Sequence, residues 1–329
     1  MALEMIVAFQ EWPYREVFTF ARETRQSAQL YVVHLTDGTY VGRGECGIQS
    51  LKNETPEIVG AELQKIAAQI DDIGSRAQLN RLIPARSWRN AVDCAFWDLE
   101  CKRSRQSIWQ LTGVGKIPKF EVDLTIGINA LEKMCLGARD AVSRGYRLLK
   151  IKADANNVIS TVHAISQAVP RVSLIVDANE AWSMDQLRSV APQLSKMNVV
   201  LIEQPLHHER DSELEKFDSP IPICADESCA TSENVELLAT RYDALNIKLD
   251  KTGGLTEALI LAREAKQRGL GLMMGCNGAT SLGNAPAYVV GSLCDWRDVD
   301  SQEMLFEDRA GGMMTRKGDL YAFDEAFWG

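Results

Sequence analysis

The chain has 329 residues, 46% of them apolar and 25% charged, which is enough apolar material for one large core with a smaller companion and excludes a disordered chain. Its 45 acidic residues outnumber 36 basic ones, and a net charge of −9 gives no electrostatic footprint for a nucleic-acid backbone. No apolar run reaches the roughly 20 residues needed to span a bilayer, and no basic segment precedes the short apolar stretch in MALEMIVAFQEWPYR, so no membrane partner and a cytoplasmic location are expected.

Residues 1–118 open with strands. Gln29 to Leu35 and Thr39 to Glu45 are β-rich runs on either side of Asp37-Gly38, a dipeptide suited to a tight turn because glycine tolerates positive φ, and they predict an antiparallel hairpin. Thr55 to Ile73 and Arg89 to Arg105 follow, with apolar residues recurring every three and four positions, and predict helices. The pattern is that of an α+β domain.

Over residues 119–300 the grammar changes to short apolar strands alternating with helix-like segments, which is that of a parallel sheet built from βα units. Eight strands are expected: 121–129, 148–154, 173–182, 199–205, 222–228, 244–250, 271–276 and a weaker one within 292–300. Eight such units predict an α/β fold of the (β/α)8 TIM-barrel type. An open doubly wound sheet loses its main support because neither GxGxxG nor GxxxxGK[ST] occurs. The tail 301–329 breaks the rhythm and is expected to pack back on the N-terminal domain. The eight cysteines show no CxxC pair and are expected to be buried free thiols.

Charged residues gather where these strands end, which is where barrels collect catalytic groups. Lys150 and Lys152 flank Ile151 on the second strand, Asp177 ends the third, Glu203 the fourth, Asp226 follows the fifth, and Lys248 lies on the sixth. Taken singly, each acid reads as a helix cap or loop charge. On three consecutive strands, one βα unit apart, the acids form a hard, oxygen-rich set suited to one Mg²⁺. Lys152 and Lys248 then stand on opposite sides of the ring with the metal between them, so that a proton can leave one face of a carbon and return to the other. A proton next to a carboxylate is too weakly acidic for a lysine alone, so the metal must stabilise the enediolate. Lys150 and the metal are expected to lower the proton affinity of Lys152.

The segments KIKAD, VDANEAW, IEQPL, ADES and NIKLDKTGGLTEA resemble the barrel-strand motifs of the muconate-lactonizing subgroup of the enolase superfamily. The resemblance covers nearly the whole chain. It implies a modified barrel with an α+β capping domain made by the N-terminal region and the C-terminal tail. It further implies Asp177, Glu203 and Asp226 as Mg²⁺ ligands, with Lys152 and Lys248 as the acid and base pair.

Within the subgroup, two features resemble dipeptide epimerases of the L-Ala-D/L-Glu type. Asp298-Val299-Asp300 is similar to a DxD motif that holds a dipeptide's α-ammonium group, and Arg25 stands where the family has an arginine that pairs with a glutamyl carboxylate. The implied activity is a 1,1-proton transfer that inverts the C-terminal residue of a dipeptide. N-acylamino acid racemase, o-succinylbenzoate synthase or cycloisomerase activity is the alternative, and a non-catalytic barrel the remote one. Lys150 is expected to face the substrate. Gly275, Cys276 and Asn277 are expected beside the substrate; after the initial Gly275-Cys276 the loop departs from the epimerase pattern at Asn277, and the 275–281 stretch offers backbone donors for a substrate carboxylate. His207 and His208 read as a surface loop, and self-association as a homo-oligomer is left open.

Overall fold

The computed structural model describes residues 2–20, 23–152 and 156–329, with the side chains of 18–20, 23 and 51 left aside. Three antiparallel strands open the chain, β1 (Glu4–Phe20), β2 (Glu23–Thr36) and β3 (Val41–Gly47), in the order β1-β2-β3. The β2–β3 hairpin turns at Gly38, whose φ of +85° suits glycine. The long β1 is not evident in the sequence, because apolar side chains stand on both of its faces, exposed Ile6 on one and exposed Phe9 with half-buried Met5 and Val7 on the other, and blur the period-two contrast.

Helices Pro56–Ala68 and Ser87–Ser104 cover this sheet. The first is capped by the Thr55 side chain, which accepts from the Ile58 amide, and has proline in its first turn. The second lies flush on β3, where a Cβ at Gly42 or Gly44 would stand 2.1 or 2.0 Å from the carbonyl oxygens of Ala95 and Ala91. Val33, Leu35, Leu63, Leu79, Val92 and Leu99 form the core of this layer, each 0% exposed.

The barrel strands are β5 (Leu124–Ile126), β6 (Leu148–Lys152), β7 (Ser173–Asp177), β8 (Val199–Glu203), β9 (Ile223–Ala225), β10 (Ala244–Ile247), β11 (Gly271–Gly275) and β12 (Trp296–Asp298). They pair in parallel in chain order, forming an eight-stranded sheet. Between β12 and β5 the wall is joined by the Asp123 amide donating to the Arg297 carbonyl at 3.0 Å, and by the Thr125 amide donating to Asp300 at 2.9 Å. The expected strand 121–129 is divided instead. Lys119–Glu121 forms β4 in a separate antiparallel sheet, because the Val122 amide turns to Gly318 while the next amide, Asp123, turns into the barrel. The stretch expected to extend β6 to residue 154 lies partly outside the described residues.

The tail adds β13 (Thr315–Arg316) and β14 (Asp319–Tyr321), paired with β4 in the order β13-β14-β4. It then returns to the N-terminal layer. Trp328, fully buried, donates its indole N–H to the Arg43 carbonyl at 2.9 Å, and the Gly329 amide donates to Asp98 at 3.0 Å. All eight cysteines are free thiols. Among the described residues no helix is long and apolar enough to cross a membrane.

Candidate active site

Inside the barrel, Leu148, Ile175, Leu201, Cys224, Ala244 and Met273 form a buried apolar floor, one residue from each strand β6 to β11. Side chains on a strand share a face every second residue. Two positions further along the same strands come Lys150, Asp177, Glu203, Asp226, Asn246 and Gly275. The polar layer is therefore fixed by the alternation that makes the floor apolar. Strand register sets the ring level, with Lys152 opposite Asp177 and Asp177 opposite Glu203.

Lys150 is the hub of this layer. Its Nζ lies 3.0 Å from Asp177 Oδ2, 2.8 Å from Glu203 Oε2 and 2.8 Å from Asp298 Oδ2, and the residue is 1% exposed. Burial works against its charge, but Asp177, Asp298 and Glu203 outweigh it and hold the ammonium well above the usual lysine range. Lys150 was expected to act on Lys152 as a neighbouring cation; its charge is instead engaged by three carboxylates.

Lys152 reaches Asp177 Oδ2 at 2.5 Å and Asn179 Oδ1 at 3.0 Å. Across the ring Lys248 reaches Asp226 Oδ2 at 2.7 Å, and Lys251 reaches Asp226 Oδ1 at 2.5 Å. Against the opposition of burial, Lys150 and Lys152 hold Asp177 at about 2, and Lys248 and Lys251 hold Asp226 well below the carboxylate range. Glu203 behaves in the opposite way. Burial and Asp177 push it up to about 7, and its Oε2, although close to Lys150 Nζ, accepts no hydrogen bond from it.

The buried part of the mouth holds more carboxyl groups than ammonium groups. Asp123, Asp177, Glu203, Asp226, Glu227, Asp298 and Asp300, seven acids, face four buried ammonium groups, Lys150, Lys152, Lys248 and Lys251, and the three acids in excess are held toward their protonated forms. Burial and Asp226 raise Glu227 to about 8, and burial and Asp298 raise Asp300 to about 7. Asp123, wholly buried with neither oxygen hydrogen-bonded, lies well above the carboxylate range through burial, Asp298 and Asp300. A divalent cation and one ammonium group bound there would let those acids ionise. The oxygen donors of Asp177, Glu203 and Asp226, including the unpartnered Glu203 Oε2, fit a hard cation such as Mg²⁺.

The cavity above this layer, about 160 Å³, brings together most of the residues singled out in the sequence: Arg25, Lys150, Lys152, Asp226, Lys248, Cys276, Asn277, Asp298 and Asp300 all line it. Arg25 comes from the N-terminal layer and donates to Ser50 Oγ at 2.7 Å. Asn277 donates to Asp250 at 3.3 Å, and the Cys276 thiol lies 4.0 Å from Asp300. Gly275 contributes space, since a Cβ there would stand 2.5 Å from Asn246 Oδ1 and 2.9 Å from Lys248 Cε. Two backbone donors expected to serve a substrate carboxylate serve the fold instead: the Thr280 amide donates to Glu45 at 2.8 Å and the Ser281 amide to Asp308 at 3.0 Å. His208 pairs with Glu180 at 2.6 Å, with its side chain 48% exposed.

Sequence reasoning did not single out Lys251, Asn246, Asn179, Glu227 or Asp123. Lys251 has a legible signal, since Gly253 closes the Leu249–Thr252 turn with φ +72° and that turn carries Lys251 back to Asp226. Asn179, two residues past Asp177, has a φ of +42°, a conformation asparagine tolerates better than most. Asp123 carries no motif and is identified only by barrel closure.

Two family matches cover the chain: residues 2–113 match the mandelate racemase / muconate lactonizing enzyme N-terminal domain, and residues 133–314 the enolase C-terminal domain-like family. The L-Ala-D/L-Glu epimerase of Escherichia coli K12 is 37% identical, over 97% of this chain and 100% of its own length. An N-acetyl-D-glutamate racemase from Pseudoalteromonas is 38% identical over 77% of this chain and 79% of its own. An enolase-family protein of Agrobacterium tumefaciens with homology to dipeptide epimerases, solved with sodium and L-Ala-L-Glu, superposes with a TM-score of 0.95 at 34% identity, over 99% of this chain and 100% of that one. A dipeptide epimerase of Enterococcus faecalis V583, solved with Mg and L-Leu-L-Tyr, superposes with a TM-score of 0.91 at 26% identity, over 98% of each.

Proposed function

This chain belongs to the mandelate racemase / muconate lactonizing enzyme family of the enolase superfamily, and from that membership we propose that it is a Mg²⁺-dependent dipeptide epimerase of the L-Ala-D/L-Glu type, acting in the cytoplasm. The observation that carries the reading is the pair Lys152 and Lys248, each bonded to a carboxylate on its own side of the ring, with Glu203 between them.

In this reading Asp177, Glu203 and Asp226 hold the metal. Mg²⁺ at that site would supply the charge that makes the α-proton acidic, and the oxygens of Asp177 and Asp226 that would hold it are those on which Lys152 and Lys248 rest. Lys152 and Lys248 do the proton chemistry, one removing the α-proton and the other protonating the opposite face. Asp298 and Asp300 receive the dipeptide's α-ammonium group. Asp298 accepts from the Lys150 ammonium at 2.8 Å, and Asp300 beside it supports the reading by offering a second carboxyl to an ammonium group. Arg25 offers its planar fork to the side-chain carboxylate, with one nitrogen steadied by Ser50. Lys150 keeps the carboxylates of three strands at fixed spacing beneath the substrate. Cys276 and Asn277 form the wall on the β11 side.

The second reading is the racemisation of an N-acylamino acid, favoured by the likeness to the N-acetyl-D-glutamate racemase. An N-acylated substrate brings no cation and leaves the Asp298–Asp300 pair without an ammonium group to receive. Proton NMR in D₂O with Mg²⁺ separates the two. Loss of the α-proton signal is expected with L-Ala-L-Glu and related dipeptides, and loss only with N-acylamino acids would overturn the epimerase reading.

A further inference from the structure

The ammonium groups of the barrel mouth, Lys150, Lys152, Lys248 and Lys251, all have carboxylate partners. Lys52 lines the same cavity and, among the described residues, pairs with no carboxylate. Its side chain is exposed at the rim of the cavity, so its ammonium is free to turn inward toward an anion bound there. Partial desolvation of this otherwise exposed side chain, with Lys251 and Arg86 nearby, pulls its proton affinity below the usual lysine range, while Asp226 and Glu227 pull the other way.

The backbone holds Lys52 in place. Ser50–Lys52 is a single 3-10 turn, closed by the Asn53 amide donating to the Ser50 carbonyl at 2.9 Å, with Asn53 itself at φ +59°. Arg86 donates to the Lys52 carbonyl at 3.3 Å, and the Gln49 amide donates to Glu54 at 3.1 Å. Ser50, at the other end of the turn, is the residue on which Arg25 rests. One turn of the capping layer thus places a lysine and steadies an arginine over one cavity.

We propose that Lys52 is a specificity-determining residue that, together with Arg25, brackets the side-chain carboxylate of an acidic substrate. The inference rests on the proposed function and deepens it: the preferred substrate carries an acidic residue at the inverted position, and two cations of the cap read its charge. Arginine supplies a planar fork and lysine a mobile point charge, so the pair accepts carboxylates of differing reach.

The test compares L-Ala-L-Glu with its neutral isostere L-Ala-L-Gln, following α-proton exchange by NMR in the wild type, Lys52→Met and Lys52→Arg. Methionine keeps the length and removes the charge. The ratio of kcat/KM for the glutamyl over the glutaminyl substrate is expected to fall about tenfold in Lys52→Met, through KM, and to return toward the wild-type ratio in Lys52→Arg. An unchanged ratio in Lys52→Met, or an equal loss on both substrates, would overturn the role of Lys52. Absence of dipeptide exchange in the wild type would instead remove the functional reading on which the proposal stands.

Discussion

Lys150 and Asp298 stand 148 residues apart in the chain and 2.8 Å apart in space, where the ammonium of β6 meets the acid that ends β12. The contact joins the carboxylates Asp177 and Glu203 to the Asp298–Asp300 pair in one buried network. Removing the charge in Lys150→Met leaves those acids uncompensated. Thermal unfolding in metal-free buffer should show a loss of about 3 to 5 kcal/mol. Added Mg²⁺ should recover part of it, and an unchanged melting temperature would show that the network does not depend on Lys150.

Replacing either Lys152 or Lys248 with alanine should lower kcat at least about a hundredfold, the scale of one general acid or base. Mg²⁺ binding measured by calorimetry should persist in both variants. Retention of epimerisation by either variant would exclude a two-lysine mechanism.

Asp177→Asn, Glu203→Gln and Asp226→Asn should each weaken Mg²⁺ at least about tenfold by calorimetry, because each removes one hard anionic donor. A chelator should abolish proton exchange in the wild type, and Mg²⁺ should restore it. A variant with undiminished affinity would remove its residue from the ligand set.

Gly275→Ala tests the room that the site needs. The added Cβ would meet Asn246 Oδ1 at 2.5 Å and Lys248 Cε at 2.9 Å, so Lys248 must shift. A fall of about tenfold or more in kcat is expected. Wild-type turnover would show that Lys248 tolerates displacement.

Asp250 links the two layers, accepting from Asn90 at 2.7 Å and Asn277 at 3.3 Å, and burial together with Glu54 raises it to about 7 from an ordinary 3.8. The folded protein therefore binds this proton more tightly than the unfolded chain. Its contribution to stability is full below about pH 4 and is lost as the pH rises through about 7. Asp250→Asn should abolish that dependence, so its stability relative to wild type should improve by at least about 1 kcal/mol between pH 5 and pH 8. Parallel melting curves across that range would contradict the assignment.

Much of this was legible in the sequence because period-two alternation on short apolar strands is a local property. LLKIK, SLIVD and VVLIE each state which residues share a face, and their spacing of one βα unit states that the faces meet at one level. Lys152, Asp177, Glu203, Asp226 and Lys248 could thus be named before any coordinates. The family motifs added Arg25, Asp298 and Asp300.

What no local pattern could supply is the direction of a backbone where two neighbours compete for it, or the partner of a charge. Residues 121–129 read as one strand, yet adjacent amides at Val122 and Asp123 bond to opposite sides of the molecule and divide it. Lys150 read as a cation beside Lys152 and facing the substrate, and only the closed ring, with β12 brought round beside β5, gives it Asp298 as a partner. Asp123 and Lys52 carry no motif at all. The sequence by itself determined which side chains face inward, because alternation is set by the geometry of a single strand. Tertiary structure decided which of them touch, because electrostatic pairing in a buried site depends on distances of a few ångströms between strands far apart in the chain.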